Sequence, residues 1–92
     1  MSESTAISSV RVGMAGLSEA AVAGGDRWRA AAKDVETRAT EAAAGRAGES
    51  DQALFLRVES AAKAAQAGGD SKARWAELAG IVSAIDHATI GH

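Results

Sequence analysis

The sequence predicts an all-α protein, and two apolar patterns carry this prediction. One seam with a period of 3.5 residues runs from Ile7 to Ala42, which is typical of a helix packed lengthwise against other helices. A second seam begins at Trp75 and repeats every three or four residues. The chain contains no proline, the residue that most strongly interrupts a helix. The edges of the first seam are Ile7, Met14, Ala21, Trp28, Val35 and Ala42, and Val10, Leu17, Gly24, Ala31 and Arg38.

The middle of the chain has the composition of a turn between two helical halves. Residues 45–50 contain two glycines and no large apolar side chain, as interhelical loops commonly do. Ser50 is placed to cap the following helix through its hydroxyl, and Asp51 would then put a negative charge in its first turn. The sequence therefore predicts one all-α domain over residues 1–92, with helical halves at 5–44 and 51–89.

Each half contains the tetrapeptide Ala-Gly-Gly-Asp, with glycine pairs at Gly24-Gly25 and Gly68-Gly69. Under one interpretation, glycine ends a helix and aspartate caps the next, which gives four helices of roughly 18 residues. Under the other, each half is one long helix, because tertiary packing can offset roughly 2 kcal/mol lost at two interior glycines. We favour a hairpin of two long helices, since the first seam keeps its phase through Gly24-Gly25.

The candidate core is thin. Hydrophobic residues make up 47% of the 92 residues, but 24 of them are alanine, which favours helix and buries little area. Burying a leucine or valine side chain is worth about 1.5–3 kcal/mol, whereas ordering each residue costs about 1–2 kcal/mol. We therefore expect the hairpin to associate with itself or with another helical protein, as a dimer or higher oligomer at micromolar concentration.

Composition also bears on the classes of function. The net charge is −2 and the pI is about 5.6, so there is no electrostatic argument for nucleic-acid binding. No segment approaches the ~20 apolar residues of a membrane span. The polar, acidic N-terminus predicts that no cleavable signal peptide is present. The expected location is therefore the cytoplasm, or outside the cell by a route that reads no such signal.

Nothing in the sequence predicts a catalytic, cofactor-binding or metal-binding residue, so we expect a protein that is not an enzyme. His87 and His92 lie near the C-terminus, where helices fray. Their spacing of five residues does not place both rings on one helical face, as a spacing of four would. We interpret them, together with Asp86, as solvated polar residues.

The two tryptophans are the most informative side chains for binding. Trp28 stands between two arginines and Trp75 follows Arg74, so each ring is a core residue covered by arginine stems or an exposed interface aromatic. Stacking on a nucleobase is a third interpretation, which no wider basic groove accompanies. We expect both rings to be at least partly buried. Because Trp75 has larger apolar neighbours, its truncation should cost more than that of Trp28. The candidate partner-binding residues on the two seams are Leu17, Trp28, Val35, Trp75, Val82 and Ile85.

A short, alanine-rich chain without cysteine, with two helical halves about a glycine-containing turn, resembles the small WXG-type (ESX-type) hairpins of type VII secretion. The resemblance covers the general plan of the chain. The family places Trp-x-Gly in the turn, whereas residues 45–50 contain no tryptophan. Its export signal pairs tyrosine with an acid four residues later, and only Val82 and Asp86 echo that spacing here. The resemblance implies that hairpins dimerise into a four-helix bundle and are secreted without cleavage.

These observations predict a non-catalytic protein–protein interaction module, with a small secretion-associated hairpin as the leading hypothesis. The alternative is an intracellular structural or adaptor protein, including a virion or shell component, that assembles through the same seam. A third hypothesis is a self-contained four-helix domain with a ligand pocket between its helices.

Overall fold

The structure is a computed structural model that describes the backbone of residues 2–90 and the side chains of residues 6–87. It is all-helical over that range, which confirms the predicted fold class. The four helices are α1 (Ser2–Ala23), α2 (Gly25–Gly45), α3 (Gln52–Gln66) and α4 (Ser71–Ile90).

The helices alternate in direction and close into a ring. Arg38, near the end of α2, donates to Ser9, near the start of α1. Trp28, near the start of α2, donates to Ala65, near the end of α3. Each of these two helix pairs is therefore antiparallel. Each helix packs against two neighbours, because α1 and α3 both contact α2 and α4. The result is an up-down-up-down four-helix bundle measuring 38 × 20 × 19 Å.

The inner faces of all four helices supply one apolar core. In α1, both edges of the first seam face the core. In α2, the edge that contains Trp28 faces it. Seven large side chains are completely enclosed or nearly so, and they combine with enclosed alanines on α2 and α3 that let those helices approach closely. The largest enclosed side chains are Phe55, Leu17, Leu78, Ile85, Val10, Val35 and Val58.

The expectation of two long helices is wrong, and the interpretation with four helices is correct. Gly24 is the single residue between α1 and α2, with φ of 68°, and Gly25 follows with φ of 57°. Glycine adopts this left-handed region without the steric penalty that a Cβ brings. The seam keeps its phase across the break, and over α2 its Trp28 edge faces the same core as the buried residues of α1.

The second glycine pair makes a longer connection. Residues 67–70 separate α3 from α4, and both Gly68 and Gly69 have positive φ. Asp70 then caps α4, since its Oδ1 accepts a hydrogen bond from the backbone N–H of Lys72 over 3.1 Å. Aspartate directly after the glycines is thus a helix-start signal here, as its cap position suggests.

The central turn is held by a buried ion pair and not by the predicted serine cap. Asp51, rather than Ser50, occupies the N-cap position of α3, and its carboxylate makes no cap hydrogen bond. Instead, Nε and one terminal nitrogen of Arg46 donate to the two carboxylate oxygens of Asp51 over 3.0 and 2.9 Å. Gln52 adds a hydrogen bond from its side-chain amide to the carbonyl of Ala43 over 3.0 Å.

Across the residues that the structure describes, none of the helices combines the length and the apolar character that crossing a membrane requires.

Candidate interaction site

Most of the predicted partner-binding residues lie inside the bundle of a single chain. Leu17, Val35 and Ile85 have no exposed surface, and the side chains of Trp28 and Val82 are 4% and 8% exposed. A partner can reach these five only if the bundle opens. Trp75 is different, because it is only partly buried against the core.

Trp28 is a core residue that ties two helices together. It lies in the first turn of α2, and its indole Nε1 donates a buried hydrogen bond to the carbonyl of Ala65 in the last turn of α3 over 2.8 Å. The carbonyls in the last turn of a helix lack partners within the helix; that of Ala65 accepts from the backbone N–H of Gly68 over 3.3 Å, and the indole is a further donor to it. Of the interpretations of this residue, the core ring is therefore correct, since Trp28 is 4% exposed.

Trp75 holds α4 against α1 in a similar way. Its Nε1 donates to the carbonyl of Met14 over 3.2 Å. Because α2 and α4 run in the same direction, both tryptophans lie at the end of the bundle that carries the two glycine pairs. We call this end the glycine end. The remaining surface of the Trp75 ring borders a groove between α1 and α4.

This groove, which we call the Trp75 groove, has a volume of about 370 Å³. It combines the aromatic ring with small and aliphatic groups from the end of α1 and with a cationic side chain from α4. Val22 is the most unusual of its walls, since this apolar side chain is 92% exposed. The residues that line the groove are Ser18, Ala21, Val22, Lys72 and Trp75.

Sequence reasoning found Trp75 and missed the rest of this groove. Val22 lies next to the seam residue Ala21 but outside the seam, and a large aliphatic residue outside the apolar stripe of an amphipathic helix is expected to face water. The position of Val22 outside the seam is therefore the sequence feature that could have indicated an exposed apolar residue. The sequence gives no such indication for Lys72, because its place opposite α1 depends on the path of residues 67–70.

A second cleft lies at the opposite end, between the start of α1 and the end of α2, with a volume of about 450 Å³. Its guanidinium groups are occupied by the fold. Arg38 donates to Asp34 over 2.8 Å and to both the carbonyl and the hydroxyl oxygen of Ser9, while Arg46 holds Asp51. These contacts stabilise the hairpin of α1 and α2 and the central turn.

The polar residues near the C-terminus are placed on the surface. His87 is exposed, and the carboxylate of Asp86 forms an ion pair with Arg11 across α1 and α4. His92 lies outside the described residues. Within the described part of the chain, no three histidine, cysteine, aspartate or glutamate side chains are grouped so that they could hold a metal ion.

Comparisons with protein-family models, curated proteins and solved structures found no match to this chain. The class that the structure defines is its fold, an antiparallel four-helix bundle.

Proposed function

We propose that this protein is a non-catalytic protein–protein interaction module that binds a helix of a partner protein in the Trp75 groove. The observation that carries the proposal is the pairing of a partly buried tryptophan with Val22, an aliphatic side chain left almost entirely in water. Tryptophan is enriched among the residues that dominate binding energy at interfaces. Fully burying a valine that the fold leaves exposed is worth about 1.5–3 kcal/mol, which offsets part of the cost of association.

The shape and charge of the groove favour a helical partner with an apolar face. The groove runs between two helices, and a third helix laid between them would place apolar side chains against Val22 and Trp75. Lys72 stands at the α4 side of the groove, so an acidic residue at the edge of that helix would complement its charge. The fixed indole of Trp75, already held by Met14, loses little freedom when a partner binds.

Matched surface substitutions on α1 test this proposal. Val22→Asp places a charge in the groove, whereas Val12→Asp changes a valine that is 60% exposed and does not line it. We expect a partner that co-purifies with the tagged native chain to be retained by Val12→Asp and lost by Val22→Asp. Equal retention by both variants, with both folded by circular dichroism, would exclude the groove as the binding site.

The biological setting follows the resemblance to type VII secretion hairpins. A small secretion-associated protein is the leading proposal, and an intracellular structural or adaptor protein is the alternative. The resemblance implies a bundle assembled from two hairpins, whereas this chain supplies four helices by itself. Expression in a native-like host tests export: full-length protein in the culture medium supports the first role, and retention of intact protein in the cells supports the second.

A further inference from the structure

The connection between α1 and α2 is short and rests on glycine alone. Gly24 is the only residue between the helices, and the left-handed φ angles of Gly24 and Gly25 make the reversal. A Cβ built at either position meets no described atom within 4 Å. Their glycine identity is therefore required by the backbone conformation of the turn and not by crowding from neighbouring groups.

The buried faces of α1 and α2 would coincide if the two helices were joined without a turn. At about 100° per residue, the centres of these two faces differ by less than about 10° when the numbering is continued through Gly24. The buried positions that define them are Ile7, Val10, Met14, Leu17 and Ala20 on α1, and Trp28, Ala32, Val35, Ala39, Ala42 and Ala43 on α2.

The other glycine connection lacks this property. By the same projection, the buried faces of α3 and α4 differ by about 170°, so a helix continued through residues 67–70 would carry them on opposite sides. The positions are Phe55, Val58, Ala62 and Ala65 on α3, and Leu78, Ile81, Val82 and Ile85 on α4. Of these two connections, the one at Gly24 can straighten and keep a single apolar face.

We propose that two copies of this chain exchange α1 by straightening at Gly24-Gly25. In the exchanged dimer, residues 2–45 form one continuous helix, whose α2 half covers its own core and whose α1 half covers the core of the second copy. Two such helices run antiparallel, with both apolar faces directed at the two α3–α4 pairs. Every contact of α1 is then remade with the partner, which is the usual low-cost route to a swapped dimer.

The proposal explains why the seam continues through a turn, because the straightened helix needs one apolar face along its whole length. A short hinge favours exchange. The straightened helix spans roughly 66 Å, well beyond the 38 Å of the closed bundle. The inference rests on the proposed function only in that the chain acts by association, and it does not depend on the Trp75 groove.

Alanine at both hinge glycines should shift the equilibrium strongly toward the dimer. The variant Gly24→Ala with Gly25→Ala is disfavoured in the left-handed turn and favoured in a continuous helix, so we expect the dimerisation constant to rise more than roughly 1000-fold. Sedimentation over a wide concentration range measures this change. A variant that melts at lower temperature but stays monomeric throughout would overturn the proposal.

Two controls separate exchange from general effects of alanine. Gly68→Ala with Gly69→Ala also replaces glycines of positive φ, but straightening there does not give one apolar face, so this variant should lose stability and stay monomeric. Gly16→Ala lies within α1 with no described neighbour within 4 Å of the new Cβ, and it should not change the oligomeric state. Dimerisation of either control to the same extent as the hinge variant would contradict the proposal.

Cross-linking distinguishes an exchanged dimer from a pair of intact bundles. The chain has no native cysteine, so a short bis-maleimide reacts only with introduced ones. Arg11→Cys with Asp86→Cys replaces an ion pair between α1 and α4, and Thr40→Cys with Glu59→Cys replaces a hydrogen bond between α2 and α3. In the hinge variant, the first pair should link two chains and the second should link positions within one chain.

The outcomes of cross-linking are separable from those of the groove experiment. Intrachain linkage of both cysteine pairs in a dimer would show that intact bundles associate, and would overturn the exchange while leaving the Trp75 groove unaffected. If the cysteine pair between α1 and α4 links two chains and the other pair does not, the exchange is supported. That result stands even if the Val22→Asp variant keeps its partners and the groove proposal fails.

Discussion

The indole Nε1 of Trp28 lies 2.8 Å from the carbonyl oxygen of Ala65 and donates a buried hydrogen bond to it. The contact joins the first turn of α2 to the last turn of α3 across the core. Trp75 makes the corresponding contact from α4 to the carbonyl of Met14 in α1, over 3.2 Å. Each tryptophan thus ties one pair of antiparallel helices, but only the ring of Trp75 also reaches the surface.

The first prediction concerns the relative cost of truncating these rings. Trp28→Ala should lower the free energy of unfolding by about 3–5 kcal/mol, as expected for a large buried aromatic, and should leave the carbonyl of Ala65 without its indole donor. Trp75→Ala should cost about 1–3 kcal/mol, because part of its ring is already in water. Urea denaturation of both variants measures the difference. This order reverses the expectation drawn from sequence neighbours, and a larger loss for Trp75→Ala would restore that expectation.

The second prediction uses the rings as probes. In Trp75→Phe the remaining Trp28 should emit at short wavelength and resist quenching by acrylamide. In Trp28→Phe the remaining Trp75 should emit at longer wavelength and be quenched more readily. Addition of a partner should protect Trp75 and leave Trp28 unchanged. Identical quenching of the two single-tryptophan proteins would contradict their different burial.

Helical periodicity predicted the fold class because it records which residues face a core. It could not predict the number of helices, since the phase of the seam is the same for a straight helix and for a one-residue turn at Gly24. The deciding quantity is the backbone φ of Gly24 and Gly25, and glycine tolerates both conformations. Of the two Ala-Gly-Gly-Asp copies, the second behaves as the interpretation with four helices expects, because Asp70 caps α4. In the first copy the N-cap of α2 is Gly24, and Asp26 lies inside the helix without capping it.

The candidate site was less predictable for a related reason. A seam identifies buried residues without saying whether the same chain or another one covers them, and Leu17, Val35 and Ile85 are covered by their own chain. The relative burial of Trp28 and Trp75 depends on what lies opposite each ring. Local sequence around Trp75 describes its own helix and carries no information about the end of α1, where Val22 meets water.

The third prediction concerns the buried ion pair of the central turn. The side chains of Arg46 and Asp51 are 19% and 8% exposed, so Arg46→Met would leave a buried carboxylate without its guanidinium partner. We expect a loss of about 2–4 kcal/mol in unfolding free energy. Combining Arg46→Met with Asp51→Asn should recover part of that loss, because the uncompensated charge is then removed.

The ion pair between Asp26 and Arg29 is the control for this prediction. The side chain of Asp26 is 94% exposed, and pairs of this kind contribute little to stability. Asp26→Asn should therefore leave the denaturation midpoint unchanged. Equal effects of Arg46→Met and Asp26→Asn would show that the central turn gains nothing from burying its charges.

The last prediction compares two glycines one helical turn apart on α1. A Cβ at Gly13 would lie 3.0 Å from Cδ of Arg38 and 3.1 Å from Cγ2 of the buried Val35, whereas a Cβ at Gly16 has open space around it. Alanine is favoured over glycine in a helix by about 1 kcal/mol, so Gly16→Ala should stabilise the bundle by about that amount. At Gly13 the same gain is opposed by crowding, because Val35 is enclosed and cannot withdraw without moving α2 away from α1. We expect the Gly13→Ala variant to be less stable than the Gly16→Ala variant by about 1–2 kcal/mol in unfolding free energy, measured by thermal or urea denaturation. Equal stabilisation by both substitutions would mean that α1 and α2 do not approach as closely at Gly13 as the packing of Val35 and Arg38 requires.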